Sequence, residues 1–330
     1  MNNITRMTLR LIIMILLALA ANLGSIVGSA ATQEAKPIYF GTPAKSVAWF
    51  PLYVAMKHGL LQKEGINLQP VVMDSRVIIP SMASKEIVYS TGLGSAMIGA
   101  SKGMPIKVVM ILGGKTHLVL VTRSEIASLR ELKGKTIGVT RPGSDVHRML
   151  NLVTKSVGMD PNEVKVLGVG DLANRVNALR RKIVDGAVLS VPYDFLVEKE
   201  GFRRLAYFKD YVDVPIMGWT VHDDRIRERP DEIKKIIAAI LRGVAYAKAR
   251  RQEMLPLLQE FVGLENLDMA GKAYDAIRDM WPSDGSTSEQ GLRNAIAIAE
   301  IPASVPHERL VHWNLLRETL GALKNEPTFR

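Results

Sequence analysis

The residues of this chain best suited to hold an anion lie in the turn Arg141–Gly143 and at Ser144, directly after it. The turn follows a β-type run at Thr136–Thr140, and the residues after it have the apolar spacing of a helix. Backbone N–H groups and the positive end of a helix dipole attract anions there, and Arg141 adds a fixed charge. The alternative is an ordinary strand-to-helix connection capped by Ser144 or Asp145. This stretch alone leaves both interpretations open.

A second turn of the same kind occurs at Gly92–Ser95, again between a predicted strand and a predicted helix. Its glycines, including Gly94, allow close approach to the backbone, and Ser95 offers a hydroxyl for hydrogen bonding. The alternative is close packing of the helix on the strand. Because this turn repeats the arrangement at 142–144, we favour ligand binding and expect the two turns to be the two halves of a clamp.

Aromatic and basic residues near predicted strand ends add to the candidate site. Trp49 and Phe50 start a predicted helix after a polar loop, and we expect one to contact a ligand and the other to pack in the core. Five cations fall at or next to strand-end loops: Lys45, Arg76, Lys115, Arg141 and Arg175. Two of them facing a cleft would predict an anionic ligand held by a bidentate arginine, whereas the alternative is that most point to water. Arg141 is preferred because it shares its turn with Gly143 and Ser144.

The sequence motifs of other functional classes are absent or incomplete in this chain. The chain has no cysteine, which excludes a disulfide, a thiolate metal site and a cysteine nucleophile. The segment Gly138–Gly143 spaces two glycines as in a P-loop, but Ser144 stands where that motif needs lysine. Neither H-E-x-x-H nor G-x-S-x-G occurs. The net charge of +10 comes from basic residues interleaved with acidic ones, which disfavours nucleic-acid binding. We therefore expect no catalytic residue, no metal site and no cofactor.

The elements that must position the two turns form an alternating series. Short β runs and helical runs alternate from Lys36 to Leu205, which predicts an α/β fold with a mainly parallel sheet. From Asp223 onward the pattern is helical, and apolar residues from Ile233 to Val244 recur on one helix face. Weak boundaries near residues 122–125 and 213–218 predict two lobes. Lobe I would comprise residues 32–122 and 217–330, lobe II residues 123–216, with a ligand cleft between them.

The N-terminus has the pattern of a secretory signal peptide at residues 1–31. Arg6 and Arg10 precede the apolar stretch Leu11–Leu23, and small residues at Gly28–Ala31 offer a cleavage site. An uncleaved membrane anchor is the alternative, but the strongly apolar stretch is short for a spanning helix. Without a cysteine there is no residue for a lipid anchor. We expect a protein released into the periplasm.

Four segments together resemble one family. They are Thr42–Ile66 with its aromatic helix start, Ala83–Val109 with a small-residue turn, Leu129–Ser144 and Val184–Tyr193. In order and spacing they resemble the substrate-binding proteins of nitrate/sulfonate/taurine-type ABC transporters, which include binders of thiamine pyrimidine precursors. The resemblance implies a type II periplasmic binding protein fold, in which a two-stranded hinge joins two α/β lobes, here with a helical C-terminal part. One departure is Val88–Ser90, where such chains often carry an acidic residue.

The resemblance also implies a site and a function. The ligand-binding residues would be Ser46, Trp49, Phe50, Asp74, Arg76, Gly94, Ser95, Arg141, Gly143, Ser144, Asn174, Pro192 and Tyr193. The protein would be a monomeric solute-binding component of an ABC importer, delivering a small organic molecule, with a lean toward an anion, to a permease with a separate ATPase. Two alternatives stay open: a small-molecule lyase or synthase on the same fold, and a ligand-sensing module for a membrane receptor.

Overall fold

The computed structural model describes residues 35–43, 46–73, 75–324 and 326, with backbone only at 75 and 76. The predicted signal peptide lies outside these residues. Within the described part of the chain, no helix combines the length and apolar character that a membrane span needs.

The N-terminal two thirds alternate strands and helices, as the sequence predicts. In chain order the elements are β1 (Pro37–Thr42), α1 (Phe50–Lys57), β2 (Asn67–Val72), α2 (Ser75–Ala83), β3 (Tyr89–Ser90), α3 (Gly94–Ser101), β4 (Ile106–Gly113), β5 (Leu118–Thr122), β6 (Thr136–Val139), α4 (Asp145–Ser156), β7 (Lys165–Gly168), α5 (Leu172–Arg180), β8 (Gly186–Ser190), α6 (Tyr193–Glu198), β9 (Arg203–Tyr207) and β10 (Met217–His222). The helices that follow are α7 (Asp223–Glu228), α8 (Pro230–Ala249), α9 (Arg251–Val262), α10 (Leu267–Ile277), α11 (Glu289–Ile298), α12 (His307–Leu310) and α13 (Asn314–Leu323).

The strands form two five-stranded sheets with the same arrangement. The first has the order β2-β1-β3-β10-β4 and the second the order β7-β6-β8-β5-β9. In each sheet four strands run in the same direction, and one strand, β10 or β5, runs antiparallel to both of its neighbours. The chain passes between the sheets twice, at residues 114–117 and 208–216. Lobe I carries the first sheet and lobe II the second, and the predicted α/β fold class is confirmed.

The first crossing comes one strand earlier than the predicted boundary at 122–125. Strand β5 belongs to the second sheet, because Leu118–Thr122 pairs with Gly186–Ser190 on one side and with β9 on the other. Both β4 and β5 are continuous apolar runs, and the pattern marks each as a strand without indicating its sheet. The rest of the predicted lobe division stays a prediction.

The predicted C-terminal helix Pro306–Leu323 is two helices, α12 and α13. Between them Val311 forms a parallel bridge with Val108 of β4, and the N–H of His312 donates to the Val108 carbonyl at 2.8 Å. The helix is interrupted because these backbone groups bond to the edge strand of the first sheet. The helical spacing of the apolar residues continues through the break, which is why the sequence predicts one helix.

Helix α8 is the central helix of lobe I. It begins at Pro230, as predicted, and its residues Ile233, Ile236, Ile237, Ile240 and Leu241 are all buried. The same helix contacts α1, and this contact depends on Gly243, where a Cβ atom would overlap the backbone oxygen of Pro51. Absence of a side chain at this position lets the two helices approach.

We expect Gly243→Ala to lower the free energy of unfolding by about 2 kcal/mol, measured by urea denaturation. Overpacking against a backbone atom costs more than the roughly 1 kcal/mol that alanine gains over glycine in a helix. The matched control is Gly321→Ala in α13, where nothing lies within 4 Å of the new Cβ. That variant is expected to be slightly more stable than wild type, so an equal response at both positions would contradict the prediction.

Candidate ligand-binding cleft

The turn after β6 has the predicted helix start. Ser144 caps α4, because its Oγ accepts the N–H of His147 at 3.4 Å, and only 8% of Ser144 is exposed. The N–H of Gly143, which has a φ of +75°, donates to His147 Nδ1 at 2.9 Å, and the N–H of Ser144 donates to the Arg141 carbonyl. Both N–H groups are therefore satisfied within the turn. The exposed Arg141 side chain is the group of this turn left for a ligand.

The turn after β3 in lobe I is held by hydroxyl groups. The N–H of Gly92 donates to Ser90 Oγ at 3.3 Å, and Thr220 Oγ1 donates to the Gly92 carbonyl at 2.6 Å. Thr91 Oγ1 donates to Thr42 Oγ1 at the end of β1, at 2.8 Å. These bonds fix the carboxyl ends of β1 and β3 against each other and against the antiparallel strand β10. They leave the Ser95 hydroxyl, which has no hydrogen-bond partner among the described residues, at the mouth of the turn.

The two turns line one cavity of about 790 Å³, which we call the arginine cavity. Lobe I contributes Thr91–Ser95 and Met217, lobe II contributes Arg141, Gly143, Asp145 and Arg148, and the second crossing contributes Ile216. The structure thus brings together four of the predicted residues, Gly94, Ser95, Arg141 and Gly143, from opposite lobes. Their contact with a ligand stays a prediction.

The charges of the arginine cavity are unequal. Arg148 pairs with Asp145 of its own helix at 3.4 Å and with Glu300 at 2.7 Å, whereas Arg141 has no ion pair among the described residues. Lys102 also lines the cavity. Partial desolvation in the cleft raises the pKa of Asp145, although Arg148 and Arg141 favour its charged form. An unpaired guanidinium facing a cavity suits a carboxylate, sulfonate or phosphate group.

Asp145 reaches the opposite lobe. A Cβ atom placed on Gly94 would lie 3.4 Å from Asp145 Oδ2. This is an ordinary van der Waals distance, so the starts of α3 and α4 lie close together across the cleft, and close approach of a ligand to this turn stays a prediction.

A second cavity of about 580 Å³, the histidine cavity, also has walls from both lobes. Its lining residues are Ser46, Val47, His117, Leu172, Ser190, Val191, Pro192, Tyr193, Glu260, Phe261, Val262 and Gly263. Burial lowers the pKa of His117 to about 4, so its imidazole is neutral at physiological pH. Glu260 is the one ionised side chain of this lining, and this cavity suits an uncharged ring or hydroxyl-bearing group better than an anion.

Sequence reasoning found part of the histidine cavity and missed the rest. Ser46, Pro192 and Tyr193 were among the predicted residues, but His117 and Ser190 were not. Ser190 ends a strand, β8, and that position is the signal that could have identified it, because ligands bind at the carboxyl ends of strands in open α/β sheets. No sequence signal separates His117 from the other scattered histidines.

The aromatic pair predicted near the site lies in the core. Trp49 is 2% exposed and Phe50 is fully buried, and neither lines a cavity. The ring of Trp49 packs edge-on against Phe40 at 5.8 Å and Phe261 at 4.7 Å between centroids. Phe50 packs against Trp281 at 5.8 Å. This arrangement favours the interpretation of both as core residues, and a ligand contact by one of them stays a prediction.

The remaining predicted residues lie elsewhere. Asn174 is exposed on α5, where its N–H donates to the capping carboxylate of Asp171 at 2.8 Å, and it lines neither cavity. Arg175 points inward, since it is 5% exposed and its Nη1 donates to the Val188 carbonyl. Burial lowers the pKa of Arg175 to about 10. Asp74, Lys45 and the side chain of Arg76 lie outside the described residues.

Metal binding has no support in the described part of the chain. No cluster of three or more histidine, cysteine, aspartate or glutamate side chains occurs there with the proximity that an ion requires. Asp145 and Arg148, which line the arginine cavity, pair with each other.

Known proteins resemble this chain in sequence and in fold. The riboflavin-binding protein RibY of Chloroflexus aurantiacus is 23% identical over 261 residues, which are 75% of this chain and 73% of that protein. The periplasmic aliphatic sulphonate binding protein SsuA of Escherichia coli superposes with a TM-score of 0.70 at 16% identity, covering 85% of this chain and 99% of that one. The desulfurization enzyme DSZB superposes with a TM-score of 0.62 at 12% identity, covering 87% and 99%.

These structural likenesses confirm the predicted periplasmic binding protein fold. The family model described as NMT1/THI5 like matches residues 47–254, which is more than half of the chain and includes both turns of the cleft. The predicted resemblance is thereby confirmed, and the chain belongs to the NMT1/THI5-like family.

Proposed function

We propose that this protein is the solute-binding component of an ABC importer, which captures a small organic anion between its lobes and delivers it to a permease. The observation that carries the proposal is the arginine cavity. There the turn at Thr91–Ser95 of lobe I and the turn at Arg141 of lobe II face a common volume, and Arg141 forms no ion pair among the described residues.

Binding follows from this geometry by closure of the lobes. A ligand that contacts both turns interacts more strongly with the closed arrangement than with an open one, and it shifts the population toward closure by that difference. The two crossings at 114–117 and 208–216 are the segments about which the lobes would move. Ser95 at the start of α3 and Arg141 before α4 would contact the ligand from opposite sides.

The relatives support a solute-binding role. RibY is named for riboflavin and SsuA for aliphatic sulphonates. Arg141 suits an anionic group of such a ligand, and the uncharged polar groups of the histidine cavity suit a ring. We place the protein in the periplasm, as a monomer with its leader removed, because a solute receptor for an importer works outside the inner membrane. The permease and its ATPase would be separate chains.

An enzyme is the second candidate, and the likeness to DSZB is the observation that favours it. The chain has no cysteine nucleophile, and His117 and Asp145 line different cavities. No nucleophile and base are paired in either cavity, so we propose binding without turnover. A ligand-sensing role for a membrane receptor would use the same closure.

A ligand panel tests the proposal. Alkanesulfonates, carboxylates, pyrimidines and riboflavin are added to the purified protein, and thermal unfolding and the radius of gyration are measured. We expect at least one anion to stabilise the protein by about 2.7 kcal/mol at a hundredfold excess over Kd, and to make it more compact. Absence of any stabilisation together with an unchanged radius of gyration would contradict the proposal. Conversion of a bound ligand into product, followed by mass spectrometry, would favour the enzyme.

A further inference from the structure

Helix α11 contacts both lobes beside the second crossing, where the Asn294 side chain donates to the Asp213 carbonyl at 2.7 Å. Its residues Leu292, Ala295 and Ile296 belong to an apolar cluster of lobe I. Its last residue, Ile298, is buried instead in the cluster of lobe II that contains Met149 and Val153 of α4. The contact between α4 and α11 therefore spans the lobes, and we call it the α4–α11 contact.

An ion pair lies at the end of this contact. Arg148 of α4 holds both carboxylate oxygens of Glu300, with Nε at 3.1 Å from Oε1 and Nη2 at 2.7 Å from Oε2. The Arg148 side chain is 24% exposed and that of Glu300 is 69% exposed. The bidentate geometry fixes the orientation of both groups, although solvent screens the pair.

The backbone of Glu300 is in the left-handed region. Its φ is +55°, directly after the end of α11. Glycine or asparagine is favoured at such a position, because a larger side chain meets a steric cost there. Lys85 and Lys182, which follow α2 and α5, share this conformation, so it marks the end of a helix and not a function. What distinguishes Glu300 is that its carboxylate reaches an arginine of the other lobe.

Arg148 connects this contact with the ligand site. It lines the arginine cavity and pairs with Asp145, whose carboxyl group faces Gly94 across the cleft. A further cavity of about 290 Å³ separates parts of α4 and α11, with Asn151, Leu152 and Asn294 among its lining residues. The α4–α11 contact therefore has a solvent-open groove beside it.

From these observations we propose that Arg148 and Glu300 are positioning residues that hold the lobes in the closed arrangement. The inference rests on the proposed function, since it assigns to this ion pair part of the free-energy difference between closed and open protein. When the lobes open, the Arg148–Glu300 pair breaks and Arg148 keeps Asp145 as its partner. Because the Arg148 guanidinium also lines the arginine cavity, its position at the ligand site depends on whether the lobes are closed.

The absence of cysteine allows a direct test without any ligand. Gln69→Cys and Lys165→Cys place two spin labels on the exposed edge strands β2 and β7 of the two sheets. Pulsed electron spin resonance then gives the distribution of distances between the lobes. We expect a short distance in the parent protein, and a fall of about two- to fivefold in the ratio of short to long distances in Glu300→Gln.

Three further variants separate positioning from structure. Arg148→Gln should act like Glu300→Gln, and the double variant should do no more than either single one. Glu300→Gly should lose the short distance while unfolding at an equal or higher temperature, because glycine removes the steric cost. Arg180→Gln, which breaks a bidentate pair with Glu200 inside lobe II, is the control and should change nothing.

Either of two results would overturn the inference: a distance distribution that Glu300→Gln leaves unchanged, or a parent protein with no short distance. Both are independent of the ligand panel. A protein that binds a ligand but keeps its distances in Glu300→Gln refutes this inference alone, whereas a protein that binds nothing refutes the proposed function.

Discussion

Arg141→Gln is expected to weaken the binding of an anionic ligand about 10- to 100-fold. Arg141 has no ion pair among the described residues, and its side chain lines the arginine cavity. A hydrogen bond to a charged group contributes about 1.5–3 kcal/mol, which corresponds to this range of affinity. Glutamine keeps much of the length of the side chain and removes its charge. Isothermal titration calorimetry with the tightest anion of the panel measures the effect.

The matched control for this prediction is Arg181→Gln. Arg181 is an exposed arginine of the same lobe that lines neither cavity and forms no ion pair within the described part of the chain, so its removal changes the net charge equally. Affinity should stay within about twofold of wild type, since distant surface charges are screened. Equal losses in the two variants would mean that the protein attracts anions by overall charge, and would remove Arg141 from the site.

The parts of the fold that sequence predicted are those set by neighbouring residues. Ser144 caps α4 because its hydroxyl bonds to the backbone three residues later, and Pro230 begins α8 at the first turn. The face of α8 from Ile233 to Val244 is buried as its spacing predicts. The convergence of the turns at Gly94 and Arg141 also follows from sequence, since strand ends in similar α/β lobes meet across a cleft.

Contacts between distant residues decide what the sequence did not predict. Strand β5 lies in the second sheet because of its partners at 186–190, and its own apolar pattern contains no such information. Trp49 and Phe50 are buried because Phe261 of α9 and Trp281, in the segment between α10 and α11, pack against them. Arg148 and Glu300, 152 residues apart, form a pair that requires both lobes to be in place. The periodic spacing of apolar residues predicts which side chains are buried, but it does not predict which residues they contact.

Asp194 and His117 are expected to change the free energy of unfolding with pH in opposite directions, because burial raises the pKa of one and lowers the pKa of the other. Burial raises the pKa of Asp194 from 3.8 to about 6, although Arg204, 3.9 Å away, favours its charged form. The folded state therefore binds this proton more tightly. The stabilisation that results is complete below pH 3.8 and is lost as the pH rises through 6. Burial lowers the pKa of His117 from 6.5 to about 4, so its contribution is complete above pH 6.5 and is lost as the pH falls toward 4.

We therefore expect opposite changes in two single variants, measured by urea denaturation between pH 4 and pH 8. Each pKa unit corresponds to about 1.4 kcal/mol, so each group contributes about 3 kcal/mol across its range. The wild type loses stability as the pH rises to 8, because the buried Asp194 carboxyl group ionises. Asp194→Asn has no group to ionise there, so its stability relative to wild type should rise with pH. His117→Gln should gain stability relative to wild type as the pH falls to 4. In wild type the two contributions largely cancel between pH 4 and pH 6. Parallel shifts in the two variants, independent of pH, would show that the carboxyl and imidazole groups are not buried in the folded protein as the structure places them.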